Sequence, residues 1–135
     1  MRTMLKSKIH RATCTGADAD YEGSITLDPV LMEAADILPH EQVHVVDCNN
    51  GARLVTYAIE GARGEGEVVL NGAAARLVNT GDTVIIISYK QLADSELDSY
   101  RPRLVYVDGD NRIVRTSDGV LEALPASPVR GPTGR

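Results

Sequence analysis

Closely spaced turn signals constrain this chain more than any other feature. Between residues 49 and 111 stand Asn49-Asn50-Gly51, Gly61-Ala62-Arg63-Gly64-Glu65-Gly66, Asn71-Gly72, Thr80-Gly81-Asp82 and Asp108-Gly109-Asp110-Asn111. Glycine and asparagine tolerate the positive φ that tight reversals demand, so each cluster turns the chain. The segments between them are short and rich in Val, Ile and Thr, residues that suit a pleated surface. Residues 42–48 and 53–59 read as a hairpin across Asn50-Gly51, and 67–70 as a short strand. The run 83–89 is apolar without alternation, as in a strand covered on both faces. Residues 103–107 and 112–115 make a last hairpin. Upstream, 3–15 is a strand, 18–22 a polar connection and 24–27 a second extended run.

Only two helical stretches interrupt this pattern. Asp28-Pro29 is a start signal, an Asp cap followed by a proline whose missing N–H costs nothing in the first turn. Leu31, Ala34, Ala35 and Leu38 share one face at helical spacing, which predicts their burial, and Pro39 closes the segment. Residues 73–77 predict one turn with Asn71 near its start. Residues 90–101 read as a surface segment. Many short strands and little helix indicate an all-β fold of small-barrel type.

Composition narrows the function. With 43% hydrophobic residues and neither Trp nor Phe among 135, the core is Val, Ile, Leu and Ala in one domain. A net charge of −5 with scattered basic residues lacks the basic stripe of a nucleic-acid surface. No run approaches membrane-spanning length, and residues 1–11 carry charges too often for the apolar centre of a signal peptide. Cys14 and Cys48 have no metal-ligand spacing. No metal, nucleic-acid or membrane partner is expected, and the expected location is the cytoplasm. The domain is expected to span 1–115, followed by a small, polar, Pro/Gly-rich mobile tail at 116–135.

The chemically suggestive stretch is Tyr21-Glu22-Gly23-Ser24, leading into Ile25-Thr26-Leu27-Asp28. A glycine carbonyl can be approached closely, and a serine hydroxyl one residue later can attack it, turning amide into ester. Alone, a Gly-Ser pair is usually a turn. Around it stand Arg2-Thr3-Met4-Leu5-Lys6-Ser7-Lys8-Ile9-His10-Arg11, then Asn50-Gly51-Ala52-Arg53-Leu54-Val55-Thr56-Tyr57-Ala58-Ile59, then Asn71-Gly72-Ala73-Ala74-Ala75.

In this order and spacing, over residues 2–115, these blocks resemble the bacterial pyruvoyl-dependent aspartate 1-decarboxylases. The resemblance implies a six-stranded double-psi β-barrel with short helices, assembled as a homotetramer. It implies decarboxylation of L-aspartate to β-alanine and carbon dioxide for pantothenate synthesis. It also implies autocatalytic cleavage between Gly23 and Ser24 into chains 1–23 and 24–135. Ser24 would become a covalent pyruvoyl group, the electron sink that decarboxylation needs, working through a Schiff base with the substrate amine. A separate maturation factor is left open.

Each matching residue carries an implied role beside its plain one. Tyr57 is the expected proton donor to Cα, a phenol being a plausible acid beside a carbanion, though it also suits sheet packing. Arg53 and Lys8 are the expected carboxylate binders, a planar fork and a point charge, though isolated cations are usually solvated. Thr56 is implied in substrate binding and cleavage. In a regular strand Thr56 and Tyr57 point to opposite faces, so a shared site calls for a strand bend or a subunit junction. Gly72, Ala73 and Ala74 are expected to offer backbone N–H groups to the substrate, with His10, Tyr21 and Asn71 supporting. Val46 departs from the pattern, standing where some members carry tryptophan. Two other functions fit the bare residues, a non-catalytic barrel that binds a partner and a hydrolase using a freed N-terminal Ser24.

Overall fold

The computed structural model describes residues 1–118. Nine strands form one sheet: β1 (Arg2–Thr13), β2 (Gly16–Asp18), β3 (Ser24–Leu27), β4 (Gln42–Asp47), β5 (Arg53–Glu60), β6 (Val68–Asn71), β7 (Thr83–Leu92), β8 (Arg103–Val107) and β9 (Ile113–Ser117). Helix α1 (Pro29–Ala34) and two 3-10 segments, Gly72–Arg76 and Asp94–Glu96, complete them. The sheet order is β2-β6-β3-β5-β4-β7-β1-β8-β9.

That order closes on itself. β1 and β2 are one stretch of chain interrupted only at Cys14-Thr15, and there the backbone stays paired on both sides. Cys14 N–H donates to Asp82 C=O and Thr15 N–H to Val68 C=O, each at 2.8 Å. The β1–β2 ribbon therefore touches β7 along one edge and β6 along the other. Ribbon, β6, β3, β5, β4 and β7 form a ring of six, with β8–β9 a hairpin added outside it. The six-stranded barrel expectation holds, and its pairing is mixed, with parallel contacts at β2–β6 and β3–β5. Closure removes sheet edges that would otherwise invite aggregation.

Alternation fills the barrel. Ile9, Ile25, Leu27, Val43, Val45, Val68, Leu70, Val84 and Ile86 point inward and are fully buried. Each such side chain contributes about 1.5–3 kcal/mol of transfer free energy. At the centre of β7, Ile86, Ile87 and Ser88 are all buried, as expected for a strand covered on both faces. One buried polar contact lies within the ring and a second ties the ring to the turns outside it. Ser7 and Ser88 hydroxyls pair in the interior at 2.5 Å, and the Asn111 amide bonds Thr13 N–H, Thr13 C=O and Gly66 C=O.

Several sequence expectations need correcting. Helix α1 ends at Ala34 rather than running to Pro39, because Asp36 adopts a left-handed φ of 55° and Ile37 N–H returns to Met32 C=O. That closing turn throws Leu38 outward to 66% exposure, and Met32 and Ile37 fill the core place predicted for it. In the β4–β5 turn only Gly51 uses positive φ. Asn50 acts through its side chain instead, accepting from Ala52 N–H, while Asp47 Oδ1 accepts from Asn49 and Asn50 N–H. Strand β2 forms where the sequence predicts none, since Gly-Ala-Asp carries no β-branched signal. β7 runs three residues further than predicted, to Leu92. β9 extends to Ser117, two residues past the end of the strand predicted at 112–115, and residues 119–135 of the expected tail lie outside the described residues. Cys14 is buried, Cys48 is exposed, and both are free thiols.

Candidate active site

The site forms where a barrel strand lacks a neighbour. β5 pairs with β4 through Arg53–Tyr57 and with β3 only from Ala58 onward. Among the described residues, one edge along Arg53–Tyr57 is therefore free of strand partners. Ala52 C=O accepts from Asp47 N–H, and Ala58 N–H donates to Glu41 C=O. By antiparallel alternation Leu54 and Thr56 turn their backbone groups to β4, which leaves those of Val55 facing the free edge.

A cleft of about 410 Å³ lies along this edge, lined by Gly23, Leu54, Val55, Thr56, Tyr57, Ala73, Ala74 and Leu77. Thr56 and Tyr57 reach it from opposite faces of one strand because the cleft runs along the edge, not over a face. A strand bend is not required. The walls are mostly aliphatic, which suits a site that excludes water around a few polar groups.

The opposite wall is the 3-10 helix, and its approach to Gly23 is tight. Gly72 has a φ of 69°, and a Cβ there would lie 2.7 Å from both Gly23 N and Cα and 3.0 Å from Tyr21 C=O. Only glycine fits. At Gly23 itself a Cβ would meet nothing within 4 Å, and its φ lies outside the left-handed region. The glycine whose missing side chain this geometry exploits is thus Gly72, across from the one singled out by its place before serine.

Ser24 lies behind Gly23 with 1% exposure. Its hydroxyl donates to Glu22 C=O at 3.3 Å and accepts from Asn71 Nδ2 at 2.9 Å. Asn71, 3% exposed and register partner of Ser24 across β3–β6, gives its second N–H to Thr26 Oγ1 at 2.9 Å. Asn71 occupies the cap position of the 3-10 helix, yet its side chain makes no capping bond. It has been turned from the helix toward the serine.

The chain therefore brings together Gly23, Ser24, Thr56, Tyr57, Asn71, Gly72, Ala73 and Ala74. It does not bring Lys8, His10, Arg53 or the Tyr21 ring to the cleft lining. Register rows place Val55, His44, Ile87 and Lys8 side by side across β5, β4, β7 and β1. Residues at even spacing share a face, so Arg53 and Tyr57 stand with Val55, and His10 with Lys8, on the barrel's outer face. Three strand spacings separate β5 from β1, roughly 14 Å. The His10 ring meets Tyr106 edge-on at 5.6 Å. Burial lowers its pKa, and the positive charges of Lys8 and Arg11 lower it further. The Tyr21 side chain is 53% exposed, and only its carbonyl nears Gly72. Sequence reasoning missed Leu54, Val55 and Leu77 as cleft walls and Thr26 as the second partner of Asn71. The alternation of β5 was a usable signal for Leu54 and Val55; the Thr26 contact depends on strand register.

Comparison with known proteins gives the family. The family model described as aspartate decarboxylase matches residues 1–114. Aspartate 1-decarboxylase 2 of Gloeobacter violaceus is 59% identical over 123 residues, covering 91% of this chain and 98% of that protein.

Proposed function

The chain belongs to the aspartate decarboxylase family, and from that premise we propose that it converts L-aspartate to β-alanine and carbon dioxide, supplying pantothenate synthesis. The observation that carries this reading is the Gly23–Ser24 peptide bond at the head of a cleft lined by Thr56 and Tyr57. The reading includes self-cleavage at that bond. Ser24 Oγ adds to the Gly23 carbonyl carbon, the C–N bond breaks to leave an ester, and β-elimination releases chain 1–23. Water then replaces the amine nitrogen, which departs as ammonia, leaving pyruvoyl at residue 24.

The residues present fit such a group. The close approach of the 3-10 helix to Gly23 is possible only because Gly72 lacks a Cβ, and a buried amide N–H already points at the Ser24 oxygen. When formed, the group supplies a ketone that takes up the substrate amine and an adjacent carbonyl that accepts electrons. The chain's own residues do the rest. Asn71 holds the oxygen-bearing atoms of residue 24, the small side chains of Ala73 and Ala74 let a four-carbon substrate approach the backbone, and Tyr57 delivers the proton to Cα.

Arg53 and Lys8 are proposed to hold the substrate carboxylates. Lys8 stands on β1, three strands from the β5 edge that forms this chain's cleft, which supports a homotetramer in which a neighbouring copy completes each site. The free edge of β5 beside Val55, 53% exposed, and Leu77, 46% exposed, supports the same assembly. The described residues hold no helix long and apolar enough to cross a membrane, and a cytoplasmic location is part of the proposal. The test is β-alanine formation from aspartate by the purified protein, with none from Ser24→Ala; a wild-type protein that forms no product would overturn the reading.

A further inference from the structure

The Asn71 amide is held from two sides, and the second side has no place in the chemistry described above. One Nδ2 proton goes to Ser24 Oγ and the other to Thr26 Oγ1, both at 2.9 Å. Ser24 and Thr26 are two apart on β3, so their side chains project to the same face. β6 runs antiparallel beside them, with Asn71 opposite Ser24. An amide can turn either end toward a neighbour. Ser24 already sends its own proton to Glu22 C=O, so its oxygen must accept from Asn71, and the amide has to present nitrogen. Thr26 Oγ1, accepting the second proton, satisfies that orientation. With no acceptor at residue 26, a buried N–H would be left unpaired, and the end-for-end turned amide would become competitive.

We propose that Thr26 is a positioning residue for self-cleavage, setting the Asn71 amide so that an N–H faces Ser24 Oγ. The inference rests on the self-cleavage reading above. In the step concerned, Ser24 Oγ bonds to the Gly23 carbonyl carbon, the Gly23–Ser24 C–N bond breaks, and the hydroxyl proton passes to the departing amine. With Asn71 donating to one lone pair and the O–H turned to Glu22, the hydroxyl is fixed in direction with a second lone pair free for attack. Thr26 touches none of the reacting atoms and acts through Asn71 alone.

The experiment follows conversion of freshly purified full-length chains to fragments by intact mass, at fixed temperature and pH. The proteins are wild type, Thr26→Val, Thr26→Ser, Asn71→Ala and the double variant Thr26→Val/Asn71→Ala. Valine keeps the branched shape of threonine and its strand preference, and thermal melting checks that each variant folds. Thr26→Val should cleave about tenfold more slowly, corresponding to about 1.4 kcal/mol, and Thr26→Ser should cleave within about twofold of wild type. The double variant should be no slower than Asn71→Ala, because both changes remove one interaction. Equal rates for Thr26→Val and wild type would overturn the proposal, as would additive slowing in the double variant. Should Thr26→Val fail to fold, Thr26→Ala replaces it with the same criteria. A wild-type chain that never cleaves would instead refute the self-cleavage reading itself.

Discussion

At Asp47 a carboxylate has been taken wholly out of solvent with no cation to meet it among the described residues. Its residue is 0% exposed, Oδ1 accepts two backbone N–H groups, and Oδ2 has no donor of its own. It faces Asp82, whose Oδ2 accepts from Asn79 N–H. From the β1 side the nearby titratable group is the buried Cys14 thiol, pushed up by burial and further by both carboxylates. Burial, then the Asp82 contact, raises the Asp47 pKa, while the bond from Asp47 lowers that of Asp82. The pair is best satisfied by one shared proton. For Asp47 the folded state binds the proton more tightly than the unfolded chain. Its contribution is therefore present below the ordinary carboxylate pKa and is lost as pH rises through the raised value. An asparagine amide at this position would supply an N–H at every pH. Asp47→Asn should thus gain a few degrees in Tm over wild type as pH rises from about 4 to 8. A Tm difference independent of pH would contradict the shared proton. Tyr57 belongs to the same scale. Tyr57→Phe keeps the ring, so the chain should still cleave, but β-alanine formation on the cleaved fraction should fall by about two to four orders of magnitude. Full activity would assign the proton to another donor.

At the scale of elements, Asp28 does more than the sequence disclosed. The Asp28-Pro29 pair announced a helix start, and Asp28 Oδ1 does accept from Val30 N–H. The same carboxylate also accepts from Gly64 and Gly66 N–H, so it pins the β5–β6 turn to the helix. Burial opposes its charge, but the N–H groups of Gly64, Val30 and Gly66 outweigh this and lower its pKa. Asp28→Ala should cost about 2–4 kcal/mol, a cap plus the stranded buried N–H of Gly66 and the part-buried one of Gly64, read from chemical unfolding. A loss of only the helix cap, about 1 kcal/mol, would show that the turn bonds add nothing. Asp28 explains what could be read beforehand. Local signals such as a cap, a turn glycine or a run of Val and Ile are written in adjacent residues, and the strands and α1 were visible for that reason. The bonds from residue 28 to 64 and 66, from 71 to 24 and 26, and the strand gap beside Arg53–Tyr57 depend on register between distant segments. No local spacing encodes those. Leu38 failed in the opposite way, since helical periodicity was legible but the left-handed residue that ended it, an aspartate and not a glycine, was not.

For the whole molecule, one barrel supplies two arrangements that one chain leaves apart. The cleft is lined by Gly23, Thr56 and Tyr57 with Ser24 and Asn71 buried behind Gly23, while Lys8 and His10 stand on β1, three strands away from β5. The block at residues 2–11 therefore lies apart from the cleft that the other blocks form, and a homotetramer would bring them together; light scattering should give a molar mass four times that of the chain. Everything proposed for the cleft depends on whether the Gly23–Ser24 bond is consumed. Intact mass of wild type beside Ser24→Ala decides that most directly. The account predicts two wild-type fragments, residues 1–23 and 24–135, the larger lighter by one ammonia than simple hydrolysis would leave it, and a single uncut chain for Ser24→Ala. A wild-type protein that remains one chain, or a larger fragment retaining an intact N-terminal serine, would contradict it.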